Sequence, residues 1–178
     1  MAKKWITLFM WVFGILVFDQ LTKYWIVANF PLGSKWALIP HFVDIVHYRN
    51  PGAAFGMLSG WNSHLRNYFF FGVSLVAITI LIVYWWRTPL KERGTRIPLM
   101  MILGGAIGNL VDRAIRGNVV DFILLHWYDK VVQFKLFGKT YFLELVWPAF
   151  NAADSCITVG VVWLLVTNLF GVHRREGG

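Results

Sequence analysis

Two aspartates in this chain sit among residues that could make them acid–base catalysts. Asp121 lies in Gly117-Asn118-Val119-Val120-Asp121-Phe122, a stretch of β-branched and aromatic residues that reads as extended. Asp154 opens an apolar helical run in Pro148-Ala149-Phe150-Asn151-Ala152-Ala153-Asp154, with no Lys or Arg within ten residues on either side. Lacking a local cation, its carboxyl needs an amide, a second carboxyl or water as partner. Asn151 is expected on the same helix face at i, i+3. When two carboxyls share a proton, the ionised one can activate water as a base while the protonated one polarises a carbonyl as an acid. Rival chemistries lack their residues: there is no His-Glu-x-x-His pair for zinc and no Gly-x-Ser-x-Gly nucleophile elbow. The single Cys156 has no nearby His and no metal-ligand spacing around it, so it reads as a buried packing residue. No metal and no cofactor are expected.

Three carboxylates also fall at one depth in apolar runs: Asp19 within 5–30, Asp112 within 97–114 and Asp154 within 150–170. An acidic side chain in a bilayer is costly, and its default reading is functional. With Lys3–Lys4, Arg96 and His173–Arg175 on one side, all three lie roughly 21–24 Å from that side at about 1.5 Å per residue. In a hydrocarbon core about 30 Å thick they form a layer near the opposite face. Asp19 and Lys23 stand at i, i+4 with the acid first, the better ion-pair orientation. They read as a helix-end salt bridge snorkelling to the interface, with Asp19 able to orient a site residue. In Gly104-Gly105-Ala106-Ile107-Gly108-Asn109-Leu110-Val111-Asp112-Arg113, the residues Gly104, Gly108 and Asp112 share a face and let a neighbouring helix approach closely. Asn109 is within reach of Asp112 at i+3 and Arg113 at i+4, so this helix end could satisfy itself. Asp112 reads as an anchor paired with a neighbouring Arg rather than as a catalyst.

A membrane must position these groups. The chain has 178 residues, 57% of them hydrophobic, and its mean hydropathy is +0.56. A soluble domain of this size could not hide so much apolar surface. Four segments approach the ~20 residues needed to span a bilayer: about 5–28, 67–86, 97–115 and 149–170. They predict an all-α integral membrane protein, a single domain over 1–178 with four transmembrane helices. The net charge of +8 does not point to nucleic acid, because the basic residues crowd the span flanks. Their density puts both termini and the 87–96 turn in the cytoplasm. The N-terminal run resembles a signal peptide but meets Asp19-Gln20-Leu21-Thr22-Lys23 instead of small residues, so an uncleaved first helix is expected. The short 87–96 turn makes helices 2 and 3 antiparallel neighbours. In the longer connections, residues 36–48 have strand composition, limited to an edge by Pro40. Residues 131–145 read as a β-hairpin turning at Gly138-Lys139, with Phe134, Leu136, Thr140 and Phe142 alternating against Gln133, Lys135 and Glu144. Residues 52–65 could form a short lid or interfacial helix.

Five motifs in order along the chain carry a family resemblance: Asp19-Gln-Leu-Thr-Lys23, Asn50-Pro-Gly-Ala-Ala-Phe55, Gly104-Gly-Ala-Ile-Gly-Asn-Leu-Val-Asp-Arg113, Val119-Val-Asp-Phe122 and Phe150-Asn-Ala-Ala-Asp154. Together they strongly resemble the lipoprotein signal peptidase, or type II signal peptidase, family. The resemblance implies an aspartic endopeptidase of the bacterial inner membrane, with four helices and a small external β-cradle. Such an enzyme removes the signal peptide of a prolipoprotein just before the diacylglyceryl-modified Cys. The resemblance makes Asp121 and Asp154 the catalytic pair. Asp19, Lys23, Asn50, Gly52, Asn109, Arg113 and Asn151 become supporting or substrate-binding residues. Its implied partners are the lipid-modified prolipoprotein, membrane lipids and the cyclic-peptide inhibitor globomycin, without nucleic acid. A monomer is expected, N-in and C-in, with its active site at the periplasmic side. The stretch from Asp121 to Asp154 is longer than the family pattern leads one to expect, and its hairpin is expected to shape substrate access. Two other readings stay open on residues alone. One is a proton- or cation-coupled small transporter with Asp19, Asp112 and Asp154 as relays, disfavoured because these cluster toward one face instead of the midplane. The other is a non-catalytic lipid-handling scaffold.

Overall fold

The computed structural model describes residues 2–52 and 62–171. Ala53-Ala54-Phe55, most of the expected lid and the basic tail lie outside the described residues. The elements run α1 (Ala2–Asn29), β1 (Lys35–Ile39), β2 (Val43–Asn50), α2 (Ser63–Arg87), α3 (Arg93–Arg116), β3 (Val119–Leu136), β4 (Lys139–Phe150) and α4 (Ala152–Gly171). Among the described residues four helices are long and apolar enough to cross a membrane. A four-stranded sheet accompanies them, with 18 residues in β3 and 12 in β4. The chain divides into two compact units, one of residues 1–22, 50–119 and 152–178, the other of 23–49 and 120–151.

In the first unit α3 is central. Of its most apolar window 56% is buried, against 11% for each of the other helices. Those helices turn Phe9, Met10, Val76, Ile80, Leu165 and Leu169 outward, an apolar surface that only lipid or a partner would cover. Inside, Leu8 of α1, Ile78 and Trp85 of α2, and Leu99, Met100 and Leu103 of α3 form the core. Glycines set the helix spacing as the sequence predicts. A methyl at Gly104 would lie 2.9 Å from Ile15 Cβ, and one at Gly108 would lie 2.6 Å from Asp19 Oδ2. Pro98 inside α3 lacks the N–H that would have bonded the Gly94 carbonyl. The Thr167 hydroxyl of α4 donates to that carbonyl at 3.4 Å, the kind of neighbour-helix repair a bilayer demands. The helix stops at Gly117, whose φ of 72° suits a left-handed cap and whose N–H returns to the Arg113 carbonyl at 3.1 Å.

In the second unit the sheet order is β1-β2-β3-β4. Residues 36–48 form two strands rather than one. Pro40 has no N–H to give a ladder and sits in the turn between β1 and β2, with His41 at φ 62°. The β3–β4 hairpin forms, but its turn residues are Phe137 and Gly138, at φ 49° and 76°, so Leu136 faces Lys139. Positive φ at both central residues is what a two-residue hairpin loop requires. The shift changes the pairing: Thr140 sits opposite Lys135 and Phe142 opposite Gln133. Neither shares the register positions of Phe134 and Leu136, contrary to the expected alternation. Strand β4 also runs on to Phe150, so α4 starts at Ala152 and not near 149, in keeping with Pro148, which biases its surroundings toward extended backbone. Asp44 is buried in this sheet, 2.9 Å from Lys35 Nζ and 2.9 Å from His126 Nε2, which ties β1, β2 and β3 together.

Candidate active site

The first turn of an α-helix leaves backbone N–H groups without intrahelical acceptors. In α4 the Ala153 N–H donates to Asp19 Oδ1 of α1 at 3.0 Å, and both residues are fully buried. A carboxylate at this position also meets the positive end of the helix dipole. The next residue, Asp154, is half-buried, and its Oδ1 accepts from Asn109 Nδ2 of α3 at 2.8 Å. The backbone beside Asp154 is thus fixed from α1 and its carboxyl from α3. Spacing along α3 suggested that Asn109 would close on Asp112 and Arg113. Its amide instead crosses to α4, because that face of α3 is buried against the neighbouring helix, while Arg113 Nη1 donates to the Asn109 carbonyl at 3.4 Å.

Behind Asp19 runs a polar chain that the candidate residues did not include. Gln20 Nε2 donates 3.1 Å to Asp19 Oδ2, 3.2 Å to the Gly108 carbonyl and 3.3 Å to Asp112 Oδ1. Arg116 Nη1 donates to Gln20 Oε1 at 3.1 Å and pairs with Asp112. Asp112 is therefore the helix anchor the sequence suggested, with its arginine one turn on. Arg116 could have been found from its i, i+4 spacing. Gln20, uncharged, gave no comparable signal beyond its place in the Asp19 motif. Lys23 does not snorkel: it is fully buried, as are Asp19 and Ile26, which share the inward stripe of α1.

In the second unit Asp121 lies on β3, as expected of an extended segment, and is only 3% exposed. Asn151 Nδ2 donates to Asp121 Oδ1 at 2.8 Å and lies 3.2 Å from the Val120 carbonyl. Asn151 was expected to share a helix face with Asp154. It precedes α4 instead, and its buried amide serves β3, while Asp19 takes the helix N–H that an N-terminal cap residue would usually hold.

A third cluster surrounds Phe70 of α2, which sequence reasoning missed within an aromatic run. Asn50 Oδ1 accepts from the Gly52 N–H at 2.8 Å. Gly52 has φ 92°, and a methyl there would fall on the Phe70 ring. The Arg113 guanidinium lies 5.8 Å from the centre of the same ring, a cation–π contact. Among the described residues no group of three His, Cys, Asp or Glu side chains is placed to hold a metal.

The signal peptidase (SPase) II family profile matches residues 11–170. The chain belongs to the signal peptidase II family. A lipoprotein signal peptidase of Syntrophus aciditrophicus (strain SB) is 37% identical over 165 residues, covering 92% of this chain and 93% of that protein. The protein of that name from Syntrophotalea carbinolica is 40% identical over 152 residues, covering 85% and 84%. One from Staphylococcus aureus (strain MRSA252) is 32% identical over 162 residues, covering 91% and 87%. Among solved structures, a bacterial membrane enzyme determined by the in meso method at 2.3 Å superposes with a TM-score of 0.74 at 30% identity, over 97% of this chain and 93% of that one. Another, at 1.9 Å, gives 0.70 at 31% identity, with 92% of each covered. As a signal peptidase II family member the chain is a peptidase, and its four apolar helices fit a transmembrane enzyme.

Proposed function

We propose that this chain is an aspartic endopeptidase that cleaves the signal peptide from diacylglyceryl-modified bacterial prolipoproteins, on the N-terminal side of the lipidated Cys. Asp121 and Asp154 are the catalytic carboxylates. One, ionised, takes a proton from the attacking water; the other, protonated, polarises the scissile carbonyl and returns a proton to the leaving amine. The observation that carries this reading is how the two are held. Asn109 holds one oxygen of Asp154 and Asn151 one oxygen of Asp121, each at 2.8 Å. Each amide fixes the direction of its carboxyl, which suits a group that must gain and lose a proton at a set place. Asp112 and Asp44 lie against Arg116 and Lys35, and serve as anchors.

The names of the curated relatives, lipoprotein signal peptidases, support the substrate class. The enzyme sits in the bacterial inner membrane as a monomer, N-in and C-in, cleaving at the periplasmic side, and globomycin inhibits it. Asp19, Lys23, Asn50, Gly52, Asn109, Arg113 and Asn151 position the catalytic carboxyls or meet the substrate. The test is cleavage of a diacylglyceryl-modified precursor by purified protein in lipid. Asp121→Asn and Asp154→Asn should each abolish product while leaving the protein folded, since an amide can neither take nor give the proton. Asp112→Asn should be milder. Turnover near that of the unmodified protein in either of the first two variants removes that residue from the pair.

A further inference from the structure

At the end of the helical unit where α1 and α3 both begin, a cavity of about 490 Å³ is lined by Lys3, Lys4, Thr7 and Trp11 of α1, by Leu90, and by Arg93, Arg96, Ile97 and Met100 of α3. Its size falls in the range of small-molecule sites, roughly 300–1,000 Å³. Four of its lining residues are cations and none is an acid. Among the described residues neither helix has an acidic residue in its first turn, so two positive helix ends converge here. Glu92, just before α3, makes no capping bond with its side chain and does not line the cavity.

Two of the cations are built into the wall. Buried Arg96 donates to the Thr88 carbonyl at 3.0 Å and lies 4.2 Å from the centre of the Trp85 ring. Lys4 donates to the Trp86 carbonyl and lies 5.1 Å from the Trp85 ring centre. Lys3 and Arg93 are exposed at the mouth. A bias of basic residues toward one side of a membrane explains their number, but not their convergence on one cavity. Apart from Thr7 the remaining wall, Trp11, Leu90, Ile97 and Met100, is apolar, and Trp11 and Leu90 are themselves exposed. Cations beside an apolar wall at helix ends match an amphiphile with an anionic head, and basic pockets between membrane helices hold such headgroups.

We propose that this cavity binds the phosphodiester headgroup of an anionic diacyl phospholipid, with Lys3 and Arg93 closing on the phosphate and the acyl chains leaving along Trp11, Ile97 and Met100. The proposal is independent of the peptidase reading, because its readout is lipid retention and not cleavage. The full chain, purified in neutral detergent, is titrated with dioleoylphosphatidylglycerol or dioleoylphosphatidylcholine, and bound lipid is counted by native mass spectrometry. The unmodified protein should retain the anionic lipid selectively. Lys3→Gln/Arg93→Gln should weaken its binding on the order of 30-fold, from the loss of two cations near a lipid phosphate. Lys3→Arg/Arg93→Lys should preserve binding. Arg87→Gln/Lys91→Gln removes equal charge from the same turn without touching the cavity lining, and should leave the affinity within about twofold. Equal binding of both lipids, or an equal loss in the Arg87/Lys91 control, overturns the site. Displacement of the lipid by millimolar inorganic phosphate alone assigns the cavity to a soluble anion and overturns the lipid assignment.

Discussion

Gly108→Ala tests how α3 keeps the start of α4 in place. The added methyl would lie 2.6 Å from Asp19 Oδ2, 3.1 Å from its Cγ and 3.4 Å from Ala153 Cβ. Ordinary contact needs about 3.5 Å, so the Asp19 carboxylate must retreat by roughly 1 Å. That movement breaks its 3.0 Å bond from the Ala153 N–H and strains the one from Gln20. Loss of the cap costs about 1 kcal/mol, and overpacking a close helix contact adds about 1–3 kcal/mol. The better helix propensity of Ala returns about 1 kcal/mol. Net destabilisation should be about 1–3 kcal/mol, read as a lowered thermal midpoint in lipid nanodiscs. Because Asp154 follows Ala153 directly, a displacement of about 1 Å should also lower the cleavage rate on the order of 100-fold. Gly14→Ala and Gly72→Ala meet nothing within 4 Å, so each should be neutral or slightly stabilising and leave the rate alone. In an Asp19→Ala background the Gly108→Ala penalty should largely vanish, since the group it clashes with is gone. Gly108→Ala behaving like Gly72→Ala, or its losses adding in full to those of Asp19→Ala, would refute the capping argument.

Thr167→Val strips the hydroxyl from the Gly94 carbonyl that Pro98 leaves without its helical donor; it should cost about 0.5–1.5 kcal/mol, and more in lipid than in a water-rich detergent phase. Phe137→Asn replaces a residue at φ 49° with one that tolerates the left-handed region, so hydrogen exchange of the β3–β4 amides should slow by up to about 1 kcal/mol of protection. Unchanged exchange would show that the turn is not strained. Replacing 131–145 by a short Gly/Ser connection should raise KM for the precursor more than it lowers kcat. If both parameters stay the same, the hairpin has no part in substrate access.

The legible parts of this molecule were those written in local pattern. The four apolar runs, the small-residue stripe of Gly104 and Gly108, the extended setting of Asp121 and the anchoring role of Asp112 all follow from spacing along one element. What spacing missed are bonds between elements. Asn109 had suitable partners on its own helix, yet its amide turned to α4. Asn151 looked helical, yet it serves β3. Nothing in a periodicity argument says which of two reachable partners a buried amide will choose, because burial against a neighbour decides it. The turn of the β3–β4 hairpin moved one residue for a related reason. A Gly-Lys pair suggests a turn, but the backbone needs positive φ at two successive positions, and the sequence places Gly at the second with Phe before it.

The bond from Ala153 to Asp19 spans 134 positions of the chain. During synthesis α1 enters the bilayer early and α4 last, as the nascent chain is laid down from its N-terminus. Until α4 docks, Asp19 and Asn109 wait without the Ala153 N–H and the Asp154 carboxyl that they hold in the finished protein. On the catalytic pair proposed above, a peptidase arranged this way would stay inert while it is being made. Competence would then come when α4 meets α1 and α3, which supply the groups that hold its first turn. The same logic makes it divisible: a fragment ending before Ala152 and a separate α4 should regain activity only when both share one membrane.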